Sequence, residues 1–339
     1  MDYKALLTRL VQRKDLTEKE TADALDQILA GAWTDAQIAG FLAAMAAKGE
    51  TVAELTGAVR AMRQHAVRVQ SIGQTVVDTC GTGGDGGGTF NVSTTAAFVV
   101  AGAGVAVAKH GNRAASSQCG SADVLEAAGL NLEASHEAME HALNEIGIAF
   151  LFAPRFHAAM KFAMPARRQL GIRTVFNLLG PMSNPAGATC QLVGVYAPEL
   201  TEMFARTLQN LGTRRAFVVH GHDGMDEITV CDASRVSELK DGQVKTYDLS
   251  PERYFGGLAD AAELRGGKPD VNAQILRAIL AGEQGPRRNL VLINAAAALT
   301  AASAAPDIGA GLELAKASID GGKASAKLDA LIQFSRENS

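Results

Sequence analysis

Six of the eight residues from Gly81 to Gly88 are glycine, preceded by the apolar run Thr75-Val-Val-Asp78 and followed by Ser93-Thr-Thr-Ala-Ala-Phe-Val-Val100. The first run reads as a buried strand and the last as the opening turns of a helix, so the chain must build a strand–loop–helix unit here. Six glycines would forfeit much backbone entropy for a mere connection. Bare backbone between a strand tip and a helix N-terminus lets amides approach an anion closely, and the helix end adds partial positive charge. The segment is therefore read as a phosphate-holding loop rather than a flexible turn.

Gly81-x-Gly83-x-x-Gly86 formally satisfies the dinucleotide fingerprint, which also needs an acidic residue about 20 positions on to take the ribose hydroxyls. The next strand, Gly104-Val-Ala-Val-Ala108, ends instead in Lys109-His110-Gly111-Asn112-Arg113, a run suited to a second anion contact. No Gly-Lys-Ser/Thr follows the glycines, which argues against a Walker-type triphosphate loop. Asp85 would repel a phosphate unless it faces a sugar hydroxyl or a metal ion. A phosphorylated sugar with a metal present fits this pattern better than a dinucleotide.

With 339 residues the chain has room for two domains or one large one. A net charge of −4 and a pI near 6.0 argue against a general polyanion binder, so no nucleic-acid partner is expected. The longest apolar-and-glycine run, residues 96–108, has 13 residues and contains a glycine turn, too short for a membrane span. The first ten residues carry no apolar signal segment. Cys80, Cys119, Cys190 and Cys231 lie at least 39 residues apart with no metal-ligand or CxxC spacing. Free thiols in a cytoplasmic protein are expected.

Residues 1 to about 70 read as helical. Thr17-x-x-Glu20, Thr34-x-x-Gln37 and Thr51-x-x-Glu54 are three capping boxes at 17-residue spacing. Leu25, Ile28 and Leu29, then Ile38, Leu42 and Met45, keep helical spacing. A bundle this small needs a further surface to bury its apolar faces, either the rest of the chain or a second subunit. From residue 74 onward, strand patterns at 75–78, 105–108, 148–152, 191–196 and 216–220 alternate with helical ones at 93–102, 122–128, 135–146 and 200–211. That rhythm indicates a mainly parallel sheet covered by helices. Short strands at about 228–230 and 244–247 flank Asp241-Gly242 as a hairpin-type edge addition, and helices return at about 270–281, 290–302, 308–319 and 325–336. Residues 161–184 interrupt the rhythm with Pro165, Arg167, Arg168, Arg173 and the turn Leu179-Gly-Pro-Met-Ser-Asn-Pro185. Their basic residues make them a candidate cleft wall against the N-terminal helices.

Adjacent carboxylates such as Asp226-Glu227 are usually just solvated. These follow the strand pattern at 216–220 and the turn His222-Asp-Gly-Met225, at a strand tip where sheet proteins bind ligands. Oxygen ligands that share magnesium with substrate phosphates are the expected chemistry there. His220 and His222, without cysteine or further histidine nearby, do not make a transition-metal site.

Gly81-Thr-Gly-Gly-Asp85, Thr89-Phe-Asn-Val-Ser-Thr94, Lys109-His-Gly-Asn-Arg113, Ser116-Ser117, Gly120-Ser-Ala-Asp-Val-Leu-Glu126, Arg173-Thr-Val-Phe-Asn-Leu-Leu-Gly-Pro181, Asn184-Pro185, His220-Gly221 and Asp226-Glu227 occur in order. Together they resemble the anthranilate phosphoribosyltransferase family over nearly the whole chain. The resemblance implies an α/β fold of the nucleoside-phosphorylase-like kind, with a small N-terminal helical domain and a large domain whose mainly parallel central sheet is flanked by helices. The division implied is a helical domain at 1–70, joined by the excursion at about 161–185, and an α/β phosphoribosyl-donor-binding domain at 71–160 and 186–339. A homodimer through the helical domain is implied too. So is transfer of the 5-phosphoribosyl group from 5-phosphoribosyl 1-diphosphate (PRPP) to the amine of anthranilate, in tryptophan biosynthesis, with two Mg2+ per subunit.

By the same resemblance Gly81, Gly84 and Asp85 hold ribose and diphosphate. Thr89, Asn91, Val92, Ser93 and Thr94 converge on an oxyanion near the helix start. Lys109, with His110, Gly111 and Arg113, serves the phosphates, and Asn112, Ser116, Ser117 and Ser121 supply hydrogen bonds. Arg167 anchors the anthranilate carboxylate, with Gly81 and Asn112 on the same substrate and His110 and His157 as candidates to line the acceptor tunnel. Ser93, Asp226 and Glu227 are the magnesium residues. The family string after Arg113 often reads Ser-Ser-Lys-Ser-Gly-Ser, whereas this chain has Gln118 and Cys119, so one phosphate contact is lost at Gln118. Met182-Ser183 replaces the more usual Leu-Thr. A pyrimidine-nucleoside phosphorylase of the same fold would carry a different glycine loop with a lysine for free phosphate and no Asp-Glu pair. A nucleic-acid-binding relative would need a basic groove.

Overall fold

Three threonines start the N-terminal helices, each accepting the amide three residues on while Glu20, Gln37 or Glu54 reaches back to the threonine amide. The helices are α1 (Tyr3–Val11), α2 (Glu18–Leu29), α3 (Asp35–Lys48) and α4 (Val52–Gln64). The computed structural model describes residues 2–73, 75–84, 88–114 and 117–338. Glu54 does more than cap: fully buried, it accepts the Leu16 amide and the Lys48 ammonium, each at 2.9 Å. Gly57 lets α2 and α4 touch, since a Cβ there would stand 2.1 Å from the Glu18 carbonyl oxygen.

Strands and helices then alternate: β1 (Val76–Gly81), α5 (Val92–Gly102), β2 (Ala106–Gly111), α6 (Ser121–Ala128), α7 (His136–Glu145) and β3 (Ile148–Phe152). The short helices α8 (Ala153–Phe156), α9 (Met164–Leu170) and α10 (Val175–Leu179) lead to β4 (Cys190–Gly194), α11 (Leu200–Asn210) and β5 (Arg215–Gly221). β6 (Ser234–Lys240), β7 (Gln243–Leu249) and α12 (Glu252–Phe255) follow, and the chain ends in α13 (Pro269–Leu280), α14 (Pro286–Ala301), α15 (Ile308–Asp320) and α16 (Lys323–Glu337).

The described residues form one seven-stranded sheet in the order β3-β2-β1-β4-β5-β6-β7. β1 to β5 pair in parallel, while β6 and β7 add antiparallel at the edge. The chain builds outward from β1 to β3, then crosses back to place β4 on the other side of β1. Loops leaving β1 and β4 therefore diverge, and a crevice opens at their C-terminal ends.

The expected hairpin turns at Asp241 (φ 50°) and Gly242 (φ 70°), a two-residue connection whose left-handed pair matches strand twist. Its first strand is 234–240, not 228–230. The 228–230 run is buried, but its backbone is met by side chains: Asn294 binds both the amide and the carbonyl of Ile228, and the Ser234 hydroxyl accepts the Thr229 amide.

One core lies between the sheet and α5, α13, α14, α15 and α16. The other joins Leu25, Ile28, Leu42 and Leu55 of the helical bundle to Val193 and Val218 of the sheet, Phe204 of α11, and Phe176 and Leu179 of α10. The bundle's apolar faces thus close largely on the chain itself. The 161–184 excursion is mostly short helix, with α9 packed on α3 and α10 on α4. Among the described residues no helix is long and apolar enough to cross a membrane.

Candidate functional site

A cleft of about 610 Å³ opens at the C-terminal ends of β1, β2 and β4. It is lined by Gly81, Gly84, Thr89, Asn91, Val92, Ser93, Thr94, Lys109, His110, Gly111, Asn112, Arg113, Ser117, Ser121, Asp226 and Glu227. Asp85 and Ser116 lie outside the described residues. Of the candidates that are described, only Arg167 and His157 stand off the lining.

Two strand-end glycines make room for the carboxylates. A Cβ on Gly194 would fall 1.5 Å from the Asp226 carbonyl oxygen, and one on Gly81 would fall 2.6 Å from Asp226 Oδ2. With both side chains absent, the turn after β5 swings Asp226 over the tips of β1 and β4, where its Oδ2 accepts the Gly83 amide at 2.9 Å. Glu227 Oε1 accepts the Ser93 amide at 3.1 Å, in the first turn of α5. That amide is open because Asn91, at the N-cap, is turned elsewhere: it donates to the Cys119 carbonyl and accepts from Asn272, both at 3.0 Å. An anion at a helix N-terminus is favourably placed.

Ser93, Asp226 and Glu227 offer oxygen donors only. Among the described residues no group of three or more His, Cys, Asp or Glu could hold a metal alone. Two carboxylates and a hydroxyl suit magnesium, which keeps waters and takes substrate phosphate oxygens rather than a full protein cage. His220 and His222 have other partners, the Val195 carbonyl at 2.8 Å and Asp248 at 3.2 Å.

Below the cleft, Lys109 is 3% exposed and donates to the Thr79 carbonyl at 2.5 Å and the Ser93 hydroxyl at 3.5 Å. Burial pulls its pKa down, with Asp78 working the other way. Asp78 is fully buried and accepts from Asn184 at 2.7 Å and the His110 amide at 3.2 Å. Burial pushes its carboxyl up to about 6 against the pull of Lys109. Arg113 lines the cleft with its guanidinium paired to Glu126 at 2.7 Å and Asp123 at 3.0 Å. Ser121 Oγ accepts the Asn112 amide at 3.1 Å, so it fixes the loop after β2. Arg167, on α9, is half-buried, bonded to Met164 Sδ at 3.7 Å and stacked 5.3 Å over the Phe176 ring.

Sequence reasoning put Arg173 in a candidate cleft wall, where it lies, but missed its contacts and the rest of that wall. Arg173 donates to the Gly84 carbonyl at 2.7 Å and lies 4.0 Å over the Tyr196 ring. Asn177, Gly266 and Gly267 also line the cleft. Arg173 was visible inside a long motif string, but nothing in its spacing assigned it a contact. Tyr196 was expected to end a strand, and β4 stops at Gly194.

The glycosyl transferase family, a/b domain, matches residues 73–325, and the glycosyl transferase family, helical bundle domain, matches residues 4–66. Anthranilate phosphoribosyltransferase of Desulfosudis oleivorans is 59% identical over 99% of each chain, and that of Syntrophobacter fumaroxidans 58% identical over 98% of each. The chain belongs to the anthranilate phosphoribosyltransferase family. The crystal structure of the family member from Thermus thermophilus superposes with a TM-score of 0.92 at 41% identity, covering 98% of this chain and 99% of that one. The Saccharomyces cerevisiae enzyme in complex with PRPP and Mg gives 0.90 at 27% identity, covering 99% and 98%.

Two buried histidines back the cleft, their ring centroids 5.1 Å apart. His110 Nδ1 meets the Gly180 carbonyl at 3.1 Å, and the Nε2 atoms of both rings have no hydrogen-bond partner among the described residues. Burial, helped by the neighbouring ring, lowers the pKa of His110 to about 3, and burial lowers that of His157 to about 4. Both rings are therefore neutral at pH 7. An unfolded histidine protonates near pH 6.5, so neutral His157 adds stability that is full above about pH 6.5 and lost as pH falls toward 4. Asp78 has the opposite sign, its raised pKa favouring the fold below about pH 4 and ceasing to do so as pH rises through about 6. Comparison with His157→Gln cancels the Asp78 contribution. Denaturant unfolding should show a smaller loss of stability between pH 6.5 and 4 in the variant than in the parent. Equal losses would show that His157 is not held neutral.

Proposed function

We propose that the chain transfers the 5-phosphoribosyl group of PRPP to the amine of anthranilate, releasing diphosphate and forming N-(5-phosphoribosyl)anthranilate in tryptophan biosynthesis. The observation that carries this reading is the convergence of the Gly81–Gly84 arm, the start of α5 and the Asp226-Glu227 pair on one cleft. Breaking the C1–O bond of PRPP puts negative charge on the departing diphosphate and positive charge on the ribosyl ring. Magnesium held by Ser93, Asp226 and Glu227, two ions per subunit, would neutralise charge on the leaving group. Bare amides of the glycine arm and the hydroxyls at Thr89, Ser93 and Thr94 orient the donor. Lys109 adds positive charge from beneath the floor. Asn112 and Ser117 face the same space from the loop after β2.

The aromatic amine of anthranilate is neutral at pH 7 and can attack an oxocarbenium-like centre unaided, so positioning and charge stabilisation carry the catalysis. His110, kept neutral, presents an uncharged wall to the acceptor, with neutral His157 packed beside it. Arg167 has no carboxylate partner among the described residues, and a planar guanidinium suits the planar carboxylate of anthranilate. Residues 1–70 with the 161–185 excursion form the acceptor-side helical unit in this reading, and the packing of α9 and α10 on α3 and α4 supports it. A cytoplasmic location fits four free thiols, and recovery from an oxidising compartment on cell fractionation would contradict it.

Loss of anthranilate fluorescence on mixing with PRPP and Mg2+ tests the activity directly. Asp226→Asn combined with Glu227→Gln preserves shape and should raise the half-saturating magnesium at least about 10-fold, the scale for a lost charged contact. Full activity at limiting magnesium would overturn the metal assignment. Arg167→Ala should raise the anthranilate KM by about 30-fold to 1,000-fold, equivalent to about 2–4 kcal/mol, with little change in the PRPP KM. Equal weakening of both substrates would misplace the acceptor pocket. A homodimer through the helical domain should scatter light at twice the 35.3 kDa chain mass. A stable monomer at micromolar concentration would rule it out.

A further inference from the structure

Arg173 stands apart from the other cations of the cleft. Lys109 is buried and attracted to Asp78, and Arg113 is paired with Glu126 and Asp123. Among the described residues no carboxylate pairs with Arg173, whose guanidinium donates to the Gly84 carbonyl at 2.7 Å and stacks 4.0 Å over the Tyr196 ring. Tyr196 is itself fixed to the same arm, its amide donating to Thr82 Oγ1 at 3.0 Å while the Thr82 amide donates to the Gly194 carbonyl at 2.9 Å. The two halves of the glycine arm are thus pinned separately, the first by the end of β4 and the second by Arg173. Between the pins lies Gly83, whose amide holds Asp226 Oδ2.

Backbone geometry agrees with a built contact. Gly83 and Gly84 both take left-handed conformations, at φ +62° and +80°, and a Cβ on Gly84 would fall 2.6 Å from Arg173 Nη2. Arg173 follows Gly171, which ends α9 at φ +60°, and precedes α10. Both helices pack on the N-terminal bundle. Arg173 therefore reaches from the bundle side of the molecule to the donor arm.

We propose that Arg173 is a positioning residue that latches the Gly81–Gly84 arm and, through Gly83, sets the Asp226 carboxylate for the donor and its metal. The proposal rests on the donor-site reading given above. Lysine in its place keeps the charge but loses the planar face that stacks on Tyr196, so it restores the latch only in part.

Hydrogen exchange of the substrate-free protein reads the latch without turnover. In Arg173→Ala the Thr82 and Gly83 amides should exchange about 10-fold faster, the scale of one hydrogen bond to a charged group. Arg173→Lys should fall between that variant and the parent, Tyr196→Phe should match the parent, and the thermal midpoint of Arg173→Ala should not move. In steady state, Arg173→Ala should raise the PRPP KM and half-saturating Mg2+ by about 10-fold while the anthranilate KM stays within about twofold. Unchanged exchange at Thr82 and Gly83 would overturn the latch, as would a rise confined to the anthranilate KM, which would make Arg173 a direct acceptor contact. If the parent protein transferred no phosphoribosyl group, the functional reading would fail while the exchange comparison still decided the latch.

Discussion

The close seating of Asp226 against two glycines at neighbouring strand tips is the contact on which the rest of the site depends. A methyl group at position 194 would overlap the Asp226 carbonyl outright, and one at position 81 would collide with its carboxylate. Because β1 and β4 are adjacent where the strand order reverses, their tips are also where a crevice must open. Topology supplies the gap, and missing side chains let a turn from β5 fill part of it with negative charge. In the proposed reading, donor binding becomes a matter of bringing magnesium and phosphate to carboxylates already held by backbone amides.

Charge in the cleft is arranged in layers. Asp226 and Glu227 form the layer nearest the cleft, on amides of Gly83 and Ser93. Beneath them Lys109 and Asp78 are both out of water and opposed in sign, each shifted toward its neutral form mainly by burial. Such a pair is weak as a source of stability. Its consequence here is positional: Asp78 holds the His110 amide and Asn184, and Lys109 ties β1 to the Ser93 hydroxyl. The start of α5 and the end of β2 are thereby held in register beneath the cleft.

Much of this was legible in the residue order because the signals are local. Three capping boxes mark three helices, since a threonine and the residue three on must face each other. Glycines between an apolar strand and a small-residue helix mark an arm that lines the cleft. The failures were non-local. Ile228-Thr-Val230 looks like a strand, yet Asn294, 66 residues away, meets its backbone. The strand that joins β5 to the edge, Ser234-Arg-Val-Ser-Glu-Leu-Lys240, is too polar to announce itself. Arg173 and Tyr196 meet only because the excursion folds back over the end of β4, and no periodicity encodes an arginine stacked on a distant aromatic ring.

If Ser93, Asp226 and Glu227 hold magnesium as proposed, the described residues offer it too few ligands to bind it alone, so metal and donor should bind as a unit. Isothermal titration of the substrate-free protein with Mg2+, with PRPP and with both tests this most directly. The structure predicts weak magnesium binding alone and a large gain in PRPP affinity when magnesium is present, lost in Asp226→Asn with Glu227→Gln. Tight magnesium binding without PRPP, or PRPP binding indifferent to a chelator, would contradict the account.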